Sequence, residues 1–182
     1  MDAESNLHAA ERVAALLAEN GVKALVIGAL ALAAHRYVRY TEDVDLGVDA
    51  DVGKMRSLAR LLGEQGFAVD LHEPDGNDPL GGVINVSGDF GLVQVVSFAG
   101  RFPAVIRDAL AAEEIRIHPN SALRLVPLPQ LVALKLYAGG NKSKSDIVEL
   151  LRRNPEADLE EIRSVCRKYR LRGLDAALRE LD

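Results

Sequence analysis

Asp43 and Asp45 stand two residues apart in the stretch Asp43-Val44-Asp45-Leu46-Gly47-Val48-Asp49. On a β-strand, residues two apart project from one face. Val44, Leu46 and Val48 then form a buried side, and Asp43, Asp45 and Asp49 line the other. Neighbouring carboxylates repel each other, which costs stability unless something offsets the repulsion. A divalent cation does so, because magnesium or manganese takes carboxylate oxygens together with substrate phosphates. The pair is therefore a candidate metal site for chemistry at a phosphate. The plainer reading is the solvated polar face of an edge strand.

Upstream lies Ala24-Leu25-Val26-Ile27-Gly28-Ala29-Leu30. The apolar run reads as a buried strand that stops at Gly28, where a helical stretch begins. A glycine at such a bend lets backbone approach a ligand closely, and the following helix start offers unpaired N–H groups to an anion. Gly28 and Ala29 are thus candidate phosphate contacts. Arg39-Tyr40-Thr41 follows, immediately before the acids.

This combination resembles the DNA polymerase beta-like nucleotidyltransferases. Their pattern is an apolar strand, Gly followed by Gly or Ser, about a dozen residues, and then Asp-apolar-Asp or Asp-apolar-Glu. Arg39-Tyr40-Thr41-Glu42-Asp43-Val44-Asp45-Leu46 is similar to the bacterial branch that includes the AbiEii-type toxins. Pro129 to Ala138 resembles the family's Leu-x-x-Lys-x-x-Ala helix, and Asp146-Ile147-Val148-Glu149-Leu150 its late acidic segment. The likeness spans residues 7 to 151.

The resemblance implies a nucleotidyltransferase-like α+β fold, a mixed sheet flanked by helices with a helical C-terminal part. It also implies transfer of a nucleoside monophosphate from a nucleoside triphosphate to a hydroxyl acceptor on RNA such as tRNA, a protein or a small molecule. Asp43 and Asp45 would hold one or two magnesium ions. Gly28, Ala29, Arg39, Thr41 and Lys135 would contact nucleotide or order the acids, and Asp146 is the candidate base. For Lys135 two readings stand: a side chain facing the triphosphate, or one reaching water from a core helix.

Three departures bear on activity. Ala29 replaces the family's second Gly or Ser, so one hydroxyl is absent. Ser143-Lys144-Ser145-Asp146 stands where Arg-x-Lys-Asp is common. The family's third carboxylate falls mid-strand, and the equivalent strand here is Leu92-Val93-Gln94-Val95-Val96. The amide oxygen of Gln94 can ligate a metal, but it carries no charge and is no base. Asp70 and Asp89 lie nearby in the chain without occupying that place. An alternative function follows: a catalytically impaired module that binds nucleotide, or a protein partner as in a toxin–antitoxin pair.

The elements that must position these residues follow from periodicity and punctuation. Leu7, Ala10, Val13, Ala14 and Leu17 keep helical spacing up to Asn20-Gly21. Strands are expected at 23–27 and 42–48, with a short helix at 29–36 between them. Asp51 is a candidate N-cap for a helix running to Gln65. A strand at 67–71 is followed by a polar loop at 72–82, a hairpin of 83–86 with 92–98, a helix at 103–112 and short extended pieces at 115–118 and 123–126. Helices are expected at 129–138, 145–153, 158–169 and 174–181. A single domain over 1–182 is expected, with the sheet-containing core over about 1–126 and helices over about 127–182.

With 48% hydrophobic and 27% charged residues, the composition is ordinary for a globular protein. No apolar run reaches membrane-spanning length, and the N-terminal residues lack signal-peptide character, so a cytoplasmic location is the expectation. Cys166 is the single cysteine, which excludes an intrachain disulfide. His8, His35, His72 and His118 show no metal-ligand spacing. No Gly-x-Ser-x-Gly, dinucleotide fingerprint or Walker loop is present. The net charge of −5 is uneven: residues 1–123 carry 10 basic and 18 acidic side chains, and residues 124–182 carry 12 and 9.

Overall fold

Alternation of apolar and polar side chains fixes which face of a strand is buried, because a one-residue slip in register would turn every side chain over. In Asp43–Val48 that alternation places Val44, Leu46 and Val48 in the core and leaves Asp43 and Asp45 half-buried on the opposite face. A fully buried leucine such as Leu46 stabilises the fold by about 2 kcal/mol. The register that exposes the two acids is thereby the one that buries the hydrophobes.

A computed structural model describes residues 3–76 and 78–181. The chain runs α1 (Ala3–Glu19), β1 (Leu25–Ile27), α2 (Gly28–Ala34), β2 (Asp43–Val48), α3 (Val52–Glu64), β3 (Ala68–His72), β4 (Val83–Gly88), β5 (Gly91–Ser97), α4 (Pro103–Ala111), β6 (Ile115–Arg116), β7 (Arg124–Leu125), α5 (Leu128–Ala138), α6 (Gly140–Arg153), α7 (Leu159–Lys168) and α8 (Leu174–Leu178). The seven strands form one mixed sheet in the order β3-β4-β5-β2-β1-β7-β6. The β2–β5 and β1–β7 pairs are parallel, and the other neighbours are antiparallel. The acid-bearing strand β2 thus lies at the centre of the sheet, not at an edge.

Helices α1 and α3 pack against the face that carries Val44, Leu46, Ile84, Val86, Val93 and Val95. On the other face, α4 meets β2 at Gly47, where a Cβ would lie 3.0 Å from Ile106 Cδ1. The four C-terminal helices share one continuous buried cluster with the sheet through Leu131, Ile147, Ile162 and Leu174. Asp51 caps α3 as expected, accepting from the Lys54 N–H at 2.8 Å.

Element ends otherwise shift by a few residues, with one larger correction. Helix α6 begins at Gly140, not Ser145. Residues 140–145 face mostly outward, and the buried stripe of Asp146, Ile147, Val148, Leu150 and Leu151 starts only afterwards. The first turn therefore carries no apolar periodicity to read. Gly139 and Gly140, at φ +68° and +78°, make the sharp α5–α6 turn in a conformation that side chains resist. Among the described residues, no helix is long and apolar enough to cross a membrane.

Candidate active site

The β1–β2 register pairs Ile27 with Asp45, which brings the end of β1 against the second acid. Gly28 follows at φ +64°, and a Cβ built there would fall 1.8 Å from Asp45 Oδ2. Any side chain there would be strained and would displace the carboxylate, so the strand-to-helix bend lies directly against Asp45. Helix α2 starts at Gly28, and Ile27 offers no side-chain cap to its first N–H groups. Ala29 is buried by its methyl group.

Burial raises the Asp45 pKa to about 6, the charge of Asp43 adds to the rise, and Lys135 and Arg39 partly counter it. Four of the expected residues are therefore close enough to act on one another. Thr41 orders the first acid: its hydroxyl donates to Asp43 Oδ1 and accepts from the Asp43 N–H at 3.4 Å. The 37–41 segment alternates. Val38 and Tyr40 point outward, 80% and 83% exposed, while Arg39 and Thr41 turn inward.

Arg39 and Lys135 meet at Asp146. Arg39 donates to both carboxylate oxygens at 3.2 Å, and Lys135 Nζ reaches Oδ2 at 2.7 Å. Asp146 is only 2% exposed. Asp146, the residue expected to act as a base, has both its oxygens engaged by these two cations. Its position suits a group that holds Arg39 and Lys135 in place. Lys135 pairs with the buried Asp146 and stays close enough to Asp45 to act on its charge. Lys144 is drawn away to Glu180.

Gln94 pairs with Asp45 across the parallel β2–β5 ladder, and residues so paired share a face. It thus lies beside Asp45 on the acid-bearing face. The next strand sets Asn85 opposite Gln94, and Gln94 Nε2 donates to Asn85 Oδ1 at 2.7 Å. Asp70 follows opposite Asn85, exposed and paired with His72 at 2.8 Å. The row Asp45–Gln94–Asn85–Asp70 crosses half the sheet. Asn85 was not singled out from sequence, although the hairpin register around Ser87-Gly88-Asp89 sets two polar residues opposite each other in otherwise apolar strands.

Among the described residues, no cluster of three or more His, Cys, Asp or Glu could hold a metal. Asp43 and Asp45 remain as a two-carboxylate set. His35 closes α2, and its Nε2–H donates to the Val126 carbonyl at 2.8 Å; burial lowers its pKa. Cys166 is buried, and its thiol is pushed up to about 11 by desolvation, as befits a packing residue.

No family model and no curated protein matches the chain. Solved structures do match it. An antigenic nucleotidyltransferase-like protein from Paracoccidioides brasiliensis is similar over 91% of this chain and 87% of its own, at 16% identity and a TM-score of 0.54. ANT(2")-Ia, solved in complex with adenylyl-2"-tobramycin, is similar over 90% and 96%, at 13% identity and a TM-score of 0.55. The Megavirus polyadenylate synthase matches 84% of this chain and 33% of its own, at 12% identity and a TM-score of 0.50. The fold is that of nucleotidyltransferase-like proteins.

Proposed function

We propose that this protein binds a nucleoside triphosphate with a divalent cation at Asp43 and Asp45 and transfers its nucleoside monophosphate to a hydroxyl. The observation that carries this reading is the contact of Asp45 with Gly28, with Asp43 on the same strand face and Lys135 and Arg39 alongside. Asp43 and Asp45 fit magnesium or manganese: both are hard oxygen donors, and burial plus mutual repulsion leaves negative charge there to be offset. When bound, such an ion would neutralise the acids and polarise the α-phosphate.

The chain's own residues do the rest. Gly28 and Ala29 offer backbone N–H groups to phosphate, and Arg39 and Lys135 neutralise charge that develops on the leaving pyrophosphate. Thr41 fixes the Asp43 carboxylate. Asp146 acts through Arg39 and Lys135 as a positioning residue. A bond forms between the acceptor oxygen and the α-phosphorus, the bond from that phosphorus to the α–β bridging oxygen breaks, pyrophosphate leaves, and the proton of the hydroxyl passes to solvent. The acceptor is a hydroxyl on tRNA, a protein or a small molecule.

One observation favours a second reading. Gln94 is engaged with Asn85 and supplies neither charge nor a base beside Asp45. A protein so built binds nucleotide and transfers slowly or not at all. The similarity of Arg39–Leu46 to the AbiEii-type branch supports a partner protein of the toxin–antitoxin kind in that case.

The experiment is incubation with magnesium or manganese, each α-labelled nucleoside triphosphate, total tRNA and cell lysate. Label transfer that vanishes in Asp43→Ala and Asp45→Ala supports the transferase. Calorimetric binding without transfer supports the module. Neither binding nor transfer overturns both.

A further inference from the structure

Asn6, Ala10, Val13 and Leu17 share one face of α1, and all four are buried. Three are apolar. Asn6 is an amide standing in an apolar place, 7% exposed, while its neighbour Leu7 is only half-buried. Asn6 Nδ2 donates to the Glu42 carbonyl at 3.0 Å, across 36 positions of chain. Its Oδ1 is buried without a partner among the described residues. One hydrogen bond typically adds less stability than a buried, unpaired acceptor takes away. Stability therefore does not account for an amide at this place. Breaks of the local pattern with no such gain are expected where function is served.

The bond falls where β2 is least supported. The ladder with β1 ends at Ile27, opposite Asp45, because the chain turns into α2 at Gly28. Asp43 and Val44 project beyond it and are paired on one side only, with Leu92 and Val93 of β5. The peptide joining Glu42 to Asp43 is a rigid plane, with the Glu42 carbonyl on one side and the Asp43 N–H on the other. Asn6 takes the carbonyl, and Thr41 Oγ1 takes the N–H at 3.4 Å. Thr41 belongs to the same irregular segment as that peptide, whereas Asn6 comes from a helix anchored in the core at Val13 and Leu17. Of these two side chains, Asn6 is the one that ties the peptide to the core.

We infer that Asn6 is a positioning residue: by fixing the Glu42–Asp43 peptide, it sets the Asp43 carboxylate beside Asp45, where the two share one cation. This rests on the metal–nucleotide reading above. The family resemblance begins at residue 7, so Asn6 lies outside the segment that carries it. Groups that orient metal ligands without touching the metal matter to affinity, and losing one costs about ten-fold or more. Glu42 is exposed, so its carbonyl takes water once Asn6 is replaced, and the fold persists.

The test compares the wild type with Asn6→Leu, Asn6→Ala and Gln130→Leu. Leucine fills the place of the amide and alanine leaves it open, so the pair guards against a loss of fold in one of them. Gln130, on α5, is a second buried amide with an unpartnered oxygen, and it serves as the control. Electron paramagnetic resonance measures manganese binding to the nucleotide-free protein. Calorimetry gives the magnesium concentration at half-saturation for ATP binding. Urea unfolding of the metal-free proteins reads stability.

Both Asn6 variants should bind manganese about ten-fold more weakly and need about ten-fold more magnesium. Their urea midpoints should stay within about 0.5 M of the wild type. Gln130→Leu should match the wild type in both metal measurements. The inference is overturned if an Asn6 variant that folds holds metal within about two-fold of the wild type. It is also overturned if Gln130→Leu weakens metal binding as much as the Asn6 variants do. Urea midpoints that fall by more than about 1 M in both Asn6 variants would make the role structural and overturn it too. If the wild type binds neither manganese nor magnesium-ATP, the metal–nucleotide reading itself falls and takes this inference with it.

Discussion

Asp146 holds two cations at once, and replacing it tests how the site is held together. It is 2% exposed, and it takes Lys135 at 2.7 Å and both N–H contacts of Arg39 at 3.2 Å. Removing one partner of a fully buried ion pair costs about 3–5 kcal/mol, because the charge left behind is uncompensated. Here the partners are not fully buried: the Lys135 side chain is 15% exposed and that of Arg39 28%. Each regains some water after the substitution, so Asp146→Asn should cost about 2–4 kcal/mol. For a chain of this size, 3 kcal/mol lowers the melting temperature by about 6–12 °C.

Urea unfolding and calorimetry at pH 7 measure the loss, with Lys135→Met and the double variant completing a cycle. A coupling of about 1–3 kcal/mol is expected between 135 and 146. Nucleotide affinity should fall in Asp146→Asn, since both cations lose the group that aims them. A stability change under about 0.5 kcal/mol, the usual size for surface substitutions, together with no coupling, would refute the reasoning.

Gly28→Ala should destabilise by about 2–4 kcal/mol and abolish nucleotide binding, because its Cβ would overlap Asp45 Oδ2 and the backbone sits at φ +64°; thermal melts and calorimetry read both. Asp45 titrates near 6 in the fold against 3.8 unfolded, so the folded protein holds an extra proton between those values. The contribution of Asp45 to stability is therefore largest below pH 4 and is lost as pH rises through 6, by about 3 kcal/mol in all. Asp45→Asn should accordingly stabilise the metal-free protein at pH 8 and lose that advantage towards pH 4 in urea titrations. Gln94→Asp adds a third carboxylate to the row. It should tighten magnesium-dependent nucleotide binding and raise label transfer, at about 1 kcal/mol of metal-free stability from like-charge repulsion.

Asp43-Val44-Asp45 was legible because strand geometry allows only one useful register: burying Val44 and Leu46 presents the acids together. Gly28 was legible as a bend, and the structure adds a reason for glycine there, a carboxylate in the space that a Cβ would take. Asp51 was legible as a cap because capping is local. Residues 140–145 were not legible as helix, since an outward-facing turn has no apolar period. The Asp146–Lys135–Arg39 cluster joins segments separated by 107 and 11 positions, and no local rule specifies such pairing.

Calorimetric titration of magnesium-ATP into the wild type, Asp43→Asn and Asp45→Asn tests most directly whether the two acids at the glycine bend form a metal–nucleotide site. The account predicts saturable binding to the wild type that needs magnesium and is lost in both variants while their folds persist by circular dichroism. Equal binding by all three proteins, or binding that ignores magnesium, would contradict it.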